Sequence, residues 1–263
     1  MADFVRYTVE DRVATLVINH PPVNALNEQT LTELNAAFDA LLADDGVKVI
    51  VLTGGGQLAF VAGADIGTIQ SLVSGRDPVA TLGAASKAGQ DLFTKIEQST
   101  KPVIAAINGV CLGGGLELAM ACHIRIAGDR VRLGQPEINL GIIPGWGGTQ
   151  RLTRLVGPGK AIEMILTGDQ ITAQQAMQLR LVNMVVPGDQ VLRQAKGLAR
   201  KIADKSAVTI AAALKAIGAE PGADIEAGLA RERALFAGLS GSEDVREGVG
   251  AFLEKRQPQF KDR

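Results

Sequence analysis

Lys101 to Met120 reads KPVIAAINGVCLGGGLELAM. Pro102 to Ile107 is an apolar, β-prone run that ends at Asn108-Gly109. Three glycines follow, Gly113, Gly114 and Gly115, and then a helix-forming run, Leu116-Glu117-Leu118-Ala119-Met120. The order is a buried strand, a tight glycine turn and the first turn of a helix. Glycine lets the backbone approach a ligand closely, and a helix start offers unpaired N–H groups carrying partial positive charge. Such a place suits a developing oxyanion, and Glu117 stands within one turn of it.

Upstream, Phe4 to Val9 and Arg12 to Asn19 alternate around Glu10-Asp11, as a β-hairpin would. Pro21-Pro22 stops the second strand, and Asn27 is placed to cap a helix with Leu31, Leu34, Phe38, Leu41 and Leu42 on its apolar side, ended near Gly46. Val47 to Leu52 reads as a buried strand. FVAGADI, Phe60 to Ile66, is a second small-residue turn, which alone reads as a plain connection and beside the first as another backbone-donor loop. Ser71 to Gln98 has a helical pattern that Pro78 divides.

Downstream, a short strand, His123 to Ala127, precedes LGQPEINLGIIPGWGGTQRL, Leu133 to Leu152, a glycine- and proline-rich loop entering a helix. Strand–strand–helix units at Val13 to Leu42, Val47 to Ile69 and Val103 to Met120 suggest a repeated ββα coil. Beyond Val186-Pro187 the strand-like runs stop. Helical patterns fill Asp189 to Lys205, Val208 to Ile217, Ile225 to Leu239 and Glu243 to Arg256. The expected organisation is an α/β core over residues 1–199 and an all-helical appendage over 200–263, whose alanine-rich faces suit oligomer contacts.

At 263 residues the chain can bury a substantial core. Its 27 basic and 28 acidic residues leave a formal charge of −1, without the basic excess of a nucleic-acid or membrane-surface protein. The N-terminal segment lacks a basic-then-apolar signal pattern, and the longest uncharged run, Pro102 to Leu116, is too short for a bilayer. Cys111 and Cys122 both lie in apolar context and read as core thiols of a reducing compartment. A cytoplasmic protein is expected, or a matrix protein without its transit peptide.

No Gly-x-Gly-x-x-Gly follows a strand and no Gly-x4-Gly-Lys-Ser/Thr occurs; Gly157-Pro158-Gly159-Lys160 is better read as a helix connection. His20 and His123 are the only histidines, too few for a multi-histidine metal site and unpromising for a triad. Carboxylates remain. Glu117, and Glu137 in Gln135-Pro136-Glu137-Ile138, each read singly as a solvated or salt-bridged residue. Both have apolar, glycine-rich flanks, however, and burial plus mutual repulsion would raise at least one pKa and create an acid/base pair. Trp146, the only tryptophan, sits in Pro144-Gly145-Trp146-Gly147-Gly148 and reads equally as core or as a pocket wall.

Taken together, NALN (Asn24 to Asn27), FVAGADI, KPVIAAINGVCLGGGLELAM, LGQPEINLGIIPGWGGTQRL and AFLEKRQPQFKD resemble the enoyl-CoA hydratase/crotonase superfamily over nearly the whole length. The resemblance implies a crotonase-like ββα spiral core with a C-terminal helical trimerisation region, usually assembled as a dimer of trimers. It implies an acyl-CoA thioester substrate, so that coenzyme A enters with the substrate, with no separate cofactor and no metal. By the same resemblance the oxyanion-hole N–H groups belong to Ala64 and Gly114. Glu117 is the base that activates water, and Glu137 the acid that protonates the α-carbon. Gly145 helps hold the water. Asn24, Ala25, Leu26, Ala62, Asp65 and Ile66 border the CoA channel, and Phe252 and Lys255 approach CoA from their own or a neighbouring subunit. His123 stands where many relatives have aspartate, and Gly67 where many have lysine.

Two carboxylates fit reversible hydration of trans-2-enoyl-CoA better than double-bond isomerisation. An isomerase, a branched-chain hydratase, an inactive acyl-CoA binder and an RNA-binding relative are the competing readings. Against the last stand the near-neutral charge and the lack of a lysine-rich helix. If Trp146 narrows the pocket, short acyl chains are favoured.

Overall fold

A computed structural model describes residues 3–218 and 224–263. β1 (Val5–Glu10) and β2 (Val13–Ile18) form the expected hairpin, paired antiparallel from Val5–Ile18 to Glu10–Val13. Asp11 and Arg12 take φ of 50° and 63° in its two-residue turn, a connection that matches strand twist. α1 (Glu28–Ala43) starts at Asn27, whose side chain accepts the Thr30 N–H at 2.8 Å. It buries Leu34, Phe38 and Leu41, the expected apolar stripe.

β3 (Val49–Gly54) and β4 (Ala59–Val61) follow, then α2 (Ile66–Val73) and α3 (Pro78–Glu97). The first helix begins at Ile66, earlier than the periodicity suggests, because the Asp65 carboxylate accepts the Thr68 N–H at 2.7 Å and caps it there. Pro78 opens α3 behind the Asp77 cap, where its missing N–H costs nothing. Next come β5 (Val103–Ile107), β6 (Val110–Leu112), α4 (Gly114–Ala121), β7 (Ile124–Gly128), β8 (Arg132–Gly134) and a 3-10 turn, Pro136–Leu140. The chain continues through α5 (Gly148–Val156), α6 (Pro158–Thr167), β9 (Ile171–Thr172), α7 (Ala173–Gln178) and β10 (Met184–Val186). It closes with α8 (Val191–Ala203), α9 (Ala207–Ile217), α10 (Ile225–Gly238) and α11 (Glu243–Leu253).

Two sheets result, one ordered β1-β2-β3-β5-β7-β10 and the other β4-β6-β8-β9. The pairs β3-β4, β5-β6 and β7-β8 each give their first strand to the large sheet and their second to the small one. The coil therefore advances by one parallel strand in both sheets per repeat. Leu16, Leu52, Phe60, Val61, Leu116 and Leu118 lie in the main core cluster. The other face of the large sheet is covered by α8, whose Val191, Ala195, Ala199 and Ala203 pack on Val49, Val51, Ile104, Ala106 and Ile126. A division after residue 199 would cut this helix; the packing puts the change of layer after Ala203. Beyond it, α9 and α10 bury no residue within the chain, and Phe236 and Phe252 are exposed. No described helix is long and apolar enough to cross a membrane.

Candidate active site

β5 and β6 carry the chain to Gly113, whose φ of 51° and ψ of −127° suit glycine alone. The Gly113 N–H donates to the Gly134 carbonyl of β8 at 3.0 Å, which pins the turn to the small sheet. α4 starts there and is buried from Gly114 through Ala121. Its first N–H groups thus open inside the protein, where their partial charge is poorly screened.

The FVAGADI segment faces this helix start. Leu26 and Ala64 form a parallel bridge in which the Leu26 N–H donates to the Gly63 carbonyl and the Asp65 N–H to the Leu26 carbonyl, both at 2.9 Å. Such a bridge uses the groups flanking Ala64 and turns the Ala64 N–H to the opposite side. A Cβ placed on Gly114 would stand 3.5 Å from the Ala64 nitrogen. Neither the Ala64 nor the Gly114 N–H has an acceptor among the described residues. The structure therefore brings the two expected donors to one small space.

Glu117 lies one turn along α4 from Gly114 and is 2% exposed. Its Oε1 accepts the Trp146 N–H at 2.8 Å and the Gly148 N–H at 2.7 Å. Burial pushes its pKa up, while the two N–H groups and the nearby Arg151 charge oppose that rise by favouring the anion. Glu137 sits on the 3-10 turn after β8, with Oε1 close enough to meet a Cβ on Gly113 at 2.8 Å. With its amide nitrogen turned inward, Gln135 donates to both Glu137 oxygens, at 3.0 and 3.1 Å. Burial, with the Glu117 charge adding to it, still raises Glu137 to about 7. One carboxylate thus has two fixed donors on its anion, and the other holds a proton near neutrality, a division suited to base and acid.

The Gly145 carbonyl accepts from the Ser86 hydroxyl at 2.6 Å and the Gln90 amide at 2.9 Å, so any role in holding water falls to its N–H. Residues 23–26 are laced to the strand and loop around FVAGADI: the Ala62 N–H donates to the Val23 carbonyl at 3.1 Å, and the Asn24 amide to the Gly55 and Ala59 carbonyls. His20 Nδ1 donates to the Ala25 carbonyl at 2.7 Å. Asn24 is therefore a brace, and what it offers a ligand is backbone. Asp65 is committed to its cap, and Ile66 is exposed on the lip of α2. Phe252 and Lys255 lie at the exposed end of α11. Outside the site, His123 Nδ1 accepts the Val103 N–H at 3.0 Å, and burial keeps the ring neutral by lowering its pKa. Burial raises both thiols, Cys122 to about 12, which makes them inert.

Two contributors escaped the sequence reading. Gln135 is fully buried against Glu137, and its only signal was its place two residues ahead. Arg151, 7% exposed, donates to the Trp146 carbonyl at 3.0 Å and to Glu97 at 2.8 Å, from under the turn that holds Glu117. An arginine in a helix start gives no such hint.

The profile of a family described as "Enoyl-CoA hydratase/isomerase" matches residues 8–263. A "Probable enoyl-CoA hydratase" of Bacillus subtilis is 45% identical over 258 residues, 98% of each chain. A "Crotonyl-CoA hydratase" of Syntrophomonas wolfei is 43% identical over 254 residues, 95% of each. The crystal structure of an enoyl-CoA hydratase from Bacillus anthracis superposes with a TM-score of 0.93 at 36% identity, covering 99% of this chain and 100% of that one.

Proposed function

The chain belongs to the enoyl-CoA hydratase/isomerase family, and from that premise we propose that it catalyses reversible syn hydration of trans-2-enoyl-CoA to 3-hydroxyacyl-CoA. The observation that carries this reading is the meeting of the Ala64 and Gly114 amides with two carboxyls, the buried Glu117 and the half-buried Glu137.

Water adds to Cβ of a conjugated thioester only if charge developing on the carbonyl oxygen is stabilised. The Ala64 and Gly114 N–H groups bind that oxygen, and one such donor is typically worth about 3–4 kcal/mol in the transition state. Ionised Glu117 takes a proton from water as the oxygen bonds to Cβ. Protonated Glu137 then delivers its proton to Cα, and the enolate collapses to the thioester. The net change is H and OH added across one double bond. Exchange with solvent returns the proton from Glu117 to Glu137.

Two carboxyls over the reacting carbons favour hydration over isomerisation, which moves one proton between two carbons of the same chain. The apolar side chains exposed on α10 and α11, Phe236 and Phe252 among them, suit packing against further copies of the chain. Incubation with crotonyl-CoA tests the assignment. Loss of the conjugated-thioester absorbance with formation of 3-hydroxybutyryl-CoA is expected; a folded protein that leaves the signal unchanged contradicts it.

A further inference from the structure

The Trp146 indole is held on several sides. One edge lies against α3, where a Cβ on Gly89 would meet the indole Nε1 at 2.5 Å. The opposite edge lies against Gly114, where a Cβ would meet Cε3 at 2.6 Å. Nε1 donates to the Ala85 carbonyl at 3.2 Å, and Phe93 meets the ring edge-on, with centroids 5.7 Å apart at 82°. Only side-chain-free positions at 89 and 114 admit the ring, so its orientation is fixed.

That orientation matters because of what shares the side of Gly114 the ring covers. The same added Cβ would stand 3.5 Å from the Ala64 nitrogen, so the indole borders the room in front of the two amides. A thioester oxygen bound there places Cα and Cβ toward Glu117, and the Trp146 N–H itself holds Glu117. The residue whose N–H holds Glu117 therefore also carries the ring that borders the room in front of the two amides.

Resting on the hydratase reading above, we propose that Trp146 is the specificity-determining residue that ends the acyl pocket and restricts the enzyme to short straight-chain enoyl thioesters. A longer chain must displace the ring, which means parting it from Gly89 and Ala85 of α3. A removed indole leaves an apolar gap between Gly89 and Gly114 into which extra methylenes fit.

The test is kcat/KM for crotonyl-, hexenoyl-, octenoyl- and decenoyl-CoA with the wild type, Trp146→Ala and Trp146→Phe. The wild-type values fall along the series. The decenoyl-to-crotonyl ratio rises by about tenfold or more in Trp146→Ala, the range in which a hydrophobic pocket discriminates methylenes, and Trp146→Phe lies between. Should Trp146→Ala not fold, as thermal unfolding reports, the wild-type series and Trp146→Phe decide alone. A wild-type series that rises with length, or a ratio in folded variants equal to that of the wild type, overturns the inference while hydratase activity stands. A wild type inactive on every thioester overturns the functional reading, and this inference with it.

Discussion

Glu117 Oε1 and the Gly148 nitrogen are 2.7 Å apart, joining the start of α4 to the start of α5 across the site. With the Trp146 N–H at 2.8 Å, this leaves Oε1 fully engaged and the other oxygen as the one that can take a proton. Glu117→Gln keeps an acceptor for both N–H groups and removes the proposed base. Its kcat on crotonyl-CoA should fall by roughly 10²–10⁴-fold, with thioester binding, followed by calorimetry, little changed. Near-wild-type turnover would reassign the base.

In the proposed mechanism Glu137 acts as an acid in the hydration direction, so activity should require its protonated form. With its pKa raised to about 7, chiefly by burial, the rate of hydration should decline on the alkaline side with a midpoint near there. The two carboxyls titrate as a coupled pair, so the midpoint belongs to the pair. A pH–kcat profile flat from pH 6 to 9 would contradict the role.

The same shift has a cost in stability. A carboxyl whose folded pKa lies above its unfolded one binds more protons folded than unfolded. Stability is then lost as pH rises from the unfolded value of 4.5 through about 7. Glu137→Gln should therefore be more stable than the wild type at pH 8, by roughly 1–3 kcal/mol. The difference should shrink toward zero near pH 4.5. Denaturant unfolding at the two pH values measures it.

On the proposed mechanism Arg151 acts as a positioning residue. It fixes the Trp146 carbonyl between the two N–H donors of Glu117, and its charge favours the Glu117 anion. The charged groups around Glu117 are then Glu137 from the 3-10 turn and Arg151 from α5, itself paired with Glu97 of α3. Arg151→Gln should shift the acidic limb of the pH–kcat profile upward. Arg151→Lys should restore the limb in part, because it keeps the charge and loses the fork. Equal limbs in wild type and Arg151→Gln would leave Arg151 a purely structural residue.

The C-terminal tail is tied to the core by Asp262, which pairs with Lys48 at 2.6 Å and Arg12 at 2.5 Å and accepts the Ala207 N–H at 2.8 Å. The Lys48 side chain is only 4% exposed. Burial works to raise the Asp262 pKa, but these partners outweigh it and hold the carboxyl low. Its contribution is therefore present above the ordinary aspartate pKa and lost as pH falls through the depressed value. Asp262→Ala leaves Lys48 short of a counter-charge and should destabilise by about 3 kcal/mol, with faster proteolysis at Asp204–Ser206 in limited digestion. An unchanged digestion pattern would remove the tail from the account.

Elements with strong periodicity were readable from sequence: the hairpin, α1 behind Asn27, β3, β5 and the four C-terminal helices all occur near their expected places. The small sheet was harder, because β4, β6 and β8 have three residues each and β9 two, too short for alternation to register. The role of α8, which the expected boundary at 199 cuts, was not legible, since alanines at 195, 199 and 203 carry little hydrophobic signal, yet it covers a sheet face. Within the site, the glycine triplet and the paired glutamates were legible because backbone geometry and apolar flanks leave local marks. Arg151 was not, because it reaches Glu97 across the coil, and Gln135 was not, because its contact with Glu137, though local, depends on how the turn folds.

The central claim is geometric, and a crystal structure with acetoacetyl-CoA bound tests it most directly. The thioester oxygen should lie within hydrogen-bond distance, about 2.7–3.1 Å, of both the Ala64 and Gly114 nitrogens, with Glu117 and Glu137 flanking the neighbouring carbons. A thioester oxygen bound elsewhere, with either amide facing empty space, would contradict it.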